Sequence, residues 1–125
     1  MKLFSVEEAN AMLPSVRGIL ARIQRAHSRL VSCQASAKHA AEGADLGGGG
    51  MADGPRYVSL LFELSARAGE LEALGVQLKD YTRGLIDFPS LRDGRVILLC
   101  WQLGEGDQIE WWHDVEAGFA GRQPL

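Results

Sequence analysis

Cysteine is scarce in this sequence: Cys33 and Cys100 are the only two among 125 residues, and no Cys-x-x-Cys pair exists. That excludes a zinc knuckle or a dithiol redox motif and argues against a disulfide framework. No apolar run approaches the ~18 residues of a membrane span. The N-terminal stretch Met1 to Glu8 turns acidic before the apolar core of a signal peptide could develop. A cytoplasmic protein with no membrane partner is the expectation. Charge of one sign is also lacking, since a formal net charge of −3 gives no general attraction to nucleic acid or anionic membrane. What remains, 46% hydrophobic and 23% charged residues, is the composition of an ordinary globule, here expected to be a single domain over residues 1–125.

Acidic residues are missing between Glu8 and Glu42, a stretch that holds Arg17, Arg22, Arg25, Arg29 and Lys38, whereas Glu105, Asp107, Glu110, Asp114 and Glu116 crowd the end. The two segments are expected to complement each other within the fold or across a dimer. Ser5-Val-Glu-Glu8 has the form of a capping box and predicts a helix start. Pro14 then predicts a short helix followed by a long one. From Val16 onward, Ile19, Leu20, Ile23, Ala26, Leu30 and Val31 complete an apolar arc with His27 inside it, and Arg22, Arg25 and Arg29 form the opposite back. No aromatic residues interleave with these arginines, which argues against nucleic acid as the partner.

Gly47 to Gly50 and Asp53-Gly54-Pro55 predict a flexible connection over about residues 42–55 rather than a phosphate cradle, because the flanking elements of a phosphate loop are missing. Helical spacing returns with Tyr57, Leu60, Leu61, Leu64, Ala68 and Leu71, while Val58 and Phe62 lie beside that stripe and need another cover. Gly75 is placed to end the helix. Val76 to Asp80 alternates like a short strand, Leu85 to Phe88 is a second one stopped by Pro89, and Arg95 to Leu103 is apolar on both faces, as a central strand would be. Gly104 to Asp107 then turns this strand into Gln108 to His113.

Strict alternation divides these strands into two faces. Ile86, Phe88, Ile97, Leu99, Trp101, Leu103 and Trp112 share the face that should meet the helices. Leu85, Asp87, Val96, Leu98, Cys100, Gln102, Ile109, Trp111 and His113 share the other. Carboxylate, thiol and imidazole are the side chains of metal sites and of activated nucleophiles. In a flat sheet Asp87 and His113 would stand on the order of 12 Å apart at Cα, too far to touch, whereas Cys100 and His113 would be diagonal neighbours at roughly 7 Å. Cys100 and His113 are therefore the candidate metal ligands, and Asp87, Cys100, Glu110 and His113 the candidate ligand-binding residues. Glu110 enters as the residue opposite Trp101, placed to accept an indole N–H or to pair with a basic group. Trp101, Trp111 and Trp112 are expected in the core or in a dimer contact.

Several motifs give the chain a family resemblance. They are Phe4-Ser-Val-Glu-Glu-Ala-Asn-Ala-Met-Leu-Pro14, Lys79-Asp80 with Gly84-Leu-Ile-Asp-Phe-Pro89, Gly94-Arg95 with Leu99-Cys-Trp101 and Gly104-Glu105, and Trp112-His113 with Gly118 to Leu125. In that order they resemble the small bacterial proteins grouped as domain of unknown function 2203. The resemblance omits the glycine loop and supplies no activity. It implies that Asp80, Asp87, Arg95, Cys100, Glu110, His113 and Arg122 are kept for more than core packing. The expected fold is α+β: a long antiparallel helical hairpin with a short leading helix, against a three- to four-stranded antiparallel sheet. The expected function is a non-enzymatic homodimeric module that binds a small ligand or a protein partner on the polar sheet face, with Arg122 brought over by the tail. The alternative is a hydrolytic, metal-assisted enzyme with His113 as base or ligand, Cys100 as ligand or nucleophile, and Asp87 or Glu110 in support. The residues name no cofactor.

Overall fold

The computed structural model describes residues 1–44 and 54–125. Two helices, α1 (Val6–Ala44) and α2 (Gly54–Ala73), pack on one face of an antiparallel sheet. Its strands are β1 (Gln77–Asp80), β2 (Leu85–Arg92), β3 (Arg95–Gln102), β4 (Trp111–Asp114) and β5 (Gln123–Pro124), in the order β1-β2-β3-β4-β5. The α+β class and the helical hairpin match expectation, and the sheet has five strands where three or four were expected. At the two ends of the loop expected over 42–55, α1 continues to Ala44 and α2 starts at Gly54; residues 45–53 lie outside the described residues.

The capping box forms as written: Ser5 N–H donates to Glu8 Oε1 and Glu8 N–H to Ser5 Oγ, each at 3.0 Å. The backbone N–H of Ser5 is the main cause that holds the Glu8 carboxyl below its ordinary range. The predicted break at Pro14 does not occur, and α1 is one helix of 39 residues. Burial explains it. Ala9, Leu13, Val16, Leu20, Ile23, Ala26, Leu30 and Cys33 are buried in steps of three and four, so the seam runs unbroken past Pro14. Sealing several such side chains, each worth roughly 1.5–3 kcal/mol, outweighs a proline cost of about 3 kcal/mol. This seam also corrects the predicted arc, for it passes through Cys33 and leaves Val31 49% exposed. An arc drawn at 3.6 residues per turn drifts from a packed seam near 3.5.

In α2, Leu60 and Leu71 are buried, whereas Leu61, expected in the stripe, is 41% exposed beside Val58 and Phe62. Gly75 ends the connection with φ +87. β2 does not stop at Pro89 but runs on to Arg92, with Pro89 opposite Leu98. The Pro89 carbonyl accepts Phe4 N–H at 2.7 Å. A residue's N and C=O point to the same side of a strand, so the donor that Pro89 lacks faces an edge β1 does not cover. Asp93 (φ +51) and Gly94 (φ +79) then close a two-residue hairpin between Arg92 and Arg95. The β3–β4 connection is longer than the four-residue turn read from the sequence, yet its register, Cys100 opposite Trp111 and Leu98 opposite His113, is the one that turn implied.

Gly84 has φ +64, and a Cβ there would lie 2.7 Å from Leu103 Cβ, whereas Gly94, at φ +79, has open space around it. Gly84→Ala should therefore lower unfolding free energy by roughly 2–3 kcal/mol, strain plus overlap, and Gly94→Ala by about 1 kcal/mol. Urea denaturation of the two variants checks the ranking.

Candidate functional site

Alternation along β2, β3 and β4 turns Ile86, Phe88, Ile97, Leu99, Trp101 and Trp112 into the helix-side core. It leaves Asp87, Cys100 and His113 on the opposite face, at 1%, 1% and 2% exposure. Asp87 stands directly across from Cys100, and His113 across from Leu98, two residues along β3. Contrary to expectation, Asp87 and His113 touch: His113 Nε2 lies 3.1 Å from Asp87 Oδ1. The Cα spacing omitted the length of an imidazole and a carboxylate leaning toward each other over the middle strand, and the twist that brings their tips together. The ligand atoms of Asp87, Cys100 and His113 all lie within 4.8 Å of one another.

The hydrogen bonding of this trio is unbalanced. His113 Nδ1 lies 2.8 Å from the Asp114 carbonyl, which only accepts, so Nδ1 carries the ring hydrogen. In a neutral imidazole Nε2 is then a lone pair facing a carboxylate, and the contact needs a proton or a metal cation between them. Lys79 Nζ is 3.9 Å from Asp87 Oδ2 and supplies part of the countercharge. Burial first, then the Asp87 charge, pushes the Cys100 thiol up to about 12, with Arg122 acting in the opposite direction. At neutral pH this is a buried, protonated thiol, which is a poor free nucleophile.

The C-terminal tail walls one side of the face. Gly118 (φ +65) precedes a short 3₁₀ turn, Phe119–Gly121, and β5 pairs Pro124 with Trp111. Arg122 Nη2 donates to Glu105 Oε2 at 2.6 Å, and its guanidinium lies 4.9 Å from the Trp111 ring and 4.7 Å from the Phe119 ring. Its Nε is buried and has no acceptor among the described residues. Arg83 covers the Phe119 ring at 4.1 Å and donates to Gln102 Oε1 at 2.8 Å. An open depression is lined by Glu105, Trp111, Phe119, Ala120 and Arg122.

Of the five candidate ligand-binding residues, the fold brings Asp87, Cys100 and His113 together and sets Arg122 beside them. Glu110 stands apart: it is exposed, its carbonyl accepts Leu125 N–H at 2.9 Å, and the Trp101 indole donates instead to the Gly106 carbonyl at 2.9 Å. Trp101 and Trp112 are core residues, whereas Trp111 is half-buried under Arg122. Asp80 receives Thr82 N–H at 2.8 Å and Arg83 N–H at 3.1 Å, a turn-forming role. Arg95 holds Asp114 Oδ1 at 3.0 Å through Nη2, steadying the residue whose carbonyl orients His113. Sequence reasoning missed Lys79, Arg83, Glu105 and Phe119. Alternation within β1 places Lys79 on the face of Gln77, opposite Asp87, and could have found it.

A family model described as "Uncharacterized conserved protein (DUF2203)" matches residues 2–125. Neither curated proteins nor solved structures give a match.

The raised Cys100 pKa has two expected consequences for the metal-free chain. A thiol-specific disulfide reagent at neutral pH should leave Cys100 unmodified in the native protein and label it once unfolded. Since the folded value of about 12 exceeds the unfolded value near 9.0, stability is unaffected by this group below about pH 9 and is lost progressively as pH rises toward 12. Urea midpoints of wild type and Cys100→Ala across that range check it: the wild type should lose more.

Proposed function

We propose, from the premise that this chain belongs to the DUF2203 family of uncharacterized conserved proteins, that it is a cytoplasmic binding module working as a homodimer. It receives a small ligand or partner segment on the sheet face turned away from the helices. The observation that carries this reading is the burial of Asp87, Cys100 and His113 together on that face, beside Arg122. A position that served packing alone would be filled by apolar side chains, because polar groups withdrawn from water cost stability unless each is satisfied. Among the described residues the buried Arg122 Nε lacks an acceptor. An oxygen of the ligand would complete it, which favours a carboxylate or a similar oxygen-bearing group flanked by Trp111 and Phe119.

The dimer reading rests on α2. Val58, Leu61 and Phe62 are 50%, 41% and 73% exposed on one arc of the helix. Such a patch on a surface helix suits burial against a second copy of itself, and isologous pairing is the commonest closed assembly. No helix among the described residues is long and apolar enough to cross a membrane. The contact between His113 and Asp87 also favours a second reading, a metal-assisted hydrolase with this trio at its centre.

Native mass spectrometry of the purified protein tests both halves of the main reading. The expected species has twice the 13.6 kDa chain mass and carries a retained small molecule. Phe62→Glu should give a folded monomer, and Arg122→Ala a dimer that has lost the retained mass. A wild-type monomer at micromolar concentration would refute the dimer, and a bare chain mass the retained ligand.

A further inference from the structure

We infer that Asp87, Cys100 and His113 bind one divalent transition-metal ion of the zinc class, through Asp87 Oδ1, Cys100 Sγ and His113 Nε2. The site deepens the binding reading above and rests on this face being the functional one.

The first support is geometric. β2, β3 and β4 each deliver one side chain to the same face, and the ligand atoms lie within 4.8 Å of one another. A tetrahedral ion about 2.0–2.3 Å from each donor wants donor separations of about 3.5 Å. Small χ rotations supply that difference, and His113 Nε2 and Asp87 Oδ1 are already at 3.1 Å.

The second support is independent of spacing. With the His113 Nδ1 hydrogen committed to the Asp114 carbonyl at 2.8 Å, a neutral ring presents its Nε2 lone pair to a carboxylate oxygen. Two acceptors aimed at each other in a dry site repel, and a cation between them turns that repulsion into two bonds. Ligating histidines hold their second nitrogen on a carbonyl or carboxylate in this way. Arg95 extends the shell by fixing the Asp114 side chain, and Lys79 steadies the second oxygen of Asp87.

Charge and softness agree. A carboxylate, a thiolate, a neutral imidazole and a doubly charged ion sum to zero, so the loaded site buries no net charge. One imidazole and one sulfur select zinc, cobalt or iron over magnesium or calcium. Binding breaks the Cys100 S–H bond and forms an S–metal bond, with the proton released to solvent. Three protein ligands leave a fourth position for water or for an oxygen of the ligand.

Cobalt(II) is the probe. The purified 125-residue chain, stripped with a chelator and titrated anaerobically, should take up one cobalt per chain. It should show the visible bands of four-coordinate cobalt and a thiolate-to-cobalt charge-transfer band in the near ultraviolet, both abolished by one equivalent of zinc. Cys100→Ser should lose the charge-transfer band and Cys33→Ser should keep it. Asp87→Asn and His113→Ala should each weaken binding by about tenfold or more, with circular dichroism confirming the fold. No thiolate band in the wild type, or one that survives Cys100→Ser, overturns the metal site and leaves a proton shared between Asp87 and His113. The probe is the metal alone, so that failure is separate from the retained-mass result that decides the ligand reading.

Discussion

β3 is paired along both edges, with β2 over its whole length and with β4 from Ile97 to Cys100, and the rest of the structure depends on its two-residue alternation. Odd-numbered Ile97, Leu99 and Trp101 turn into α1 and α2, and even-numbered Leu98 and Cys100 turn away. A slip of one residue would put the thiol in the core and the indole outside. Each neighbouring strand is therefore sorted by β3: Phe88 and Trp112 join the core because they stand opposite Leu99, and Asp87 joins the site because it stands opposite Cys100. One register thus separates stability from chemistry on the two sides of a single sheet.

The charges follow the same division. Arg17 and Asp107, an ion pair at 3.1 Å between the basic first helix and the acidic end of the chain, have 40% and 89% of their side chains exposed. A pair so exposed contributes between nothing and about 1 kcal/mol, so the complementarity of the two segments steers the turn more than it stabilises it. Arg122 and Glu105 differ: at 11% and 29% exposure, with aromatic rings beside the guanidinium, they are screened little. Removing either leaves the other half-dry and unpaired, which is the larger cost. The tail is held at the site by this pair more than by backbone, because β5 contributes only two residues to the ladder.

The faces of the sheet were legible because alternation is a property of sequence, and so was the cap, because Ser5 and Glu8 carry their partners' chemistry three positions apart. The continuity of α1 was not, since Pro14 is a strong local signal and the seam through Leu13 and Val16 that overrules it is tertiary. Reading Pro89 as a strand terminus made the turn into β3 longer than the Asp93-Gly94 pair that closes it, although that dipeptide is itself a strong turn signal. β5 carries no readable period in two residues. At the site, Asp87, Cys100 and His113 could be assigned to one face but not to one contact, because backbone spacing says nothing of how far side chains lean. Glu110 illustrates the converse. Its position opposite Trp101 followed from the register, but the strand frays before reaching it and the indole finds a nearer carbonyl.

A polar trio on a sheet face needs the remainder of the fold to offset its desolvation, and here that remainder lies on the other side. The helix-side cluster runs from Phe4 and Leu13 to Phe88 and Trp101. The outer wall is built from separate parts: exposed Phe119, half-buried Trp111 and the Arg122–Glu105 pair. None of the residues of the short turn that carries Phe119 is buried. Changes in what the trio holds, proton or cation, therefore act directly on this wall, and reach the core through the strands that carry both faces.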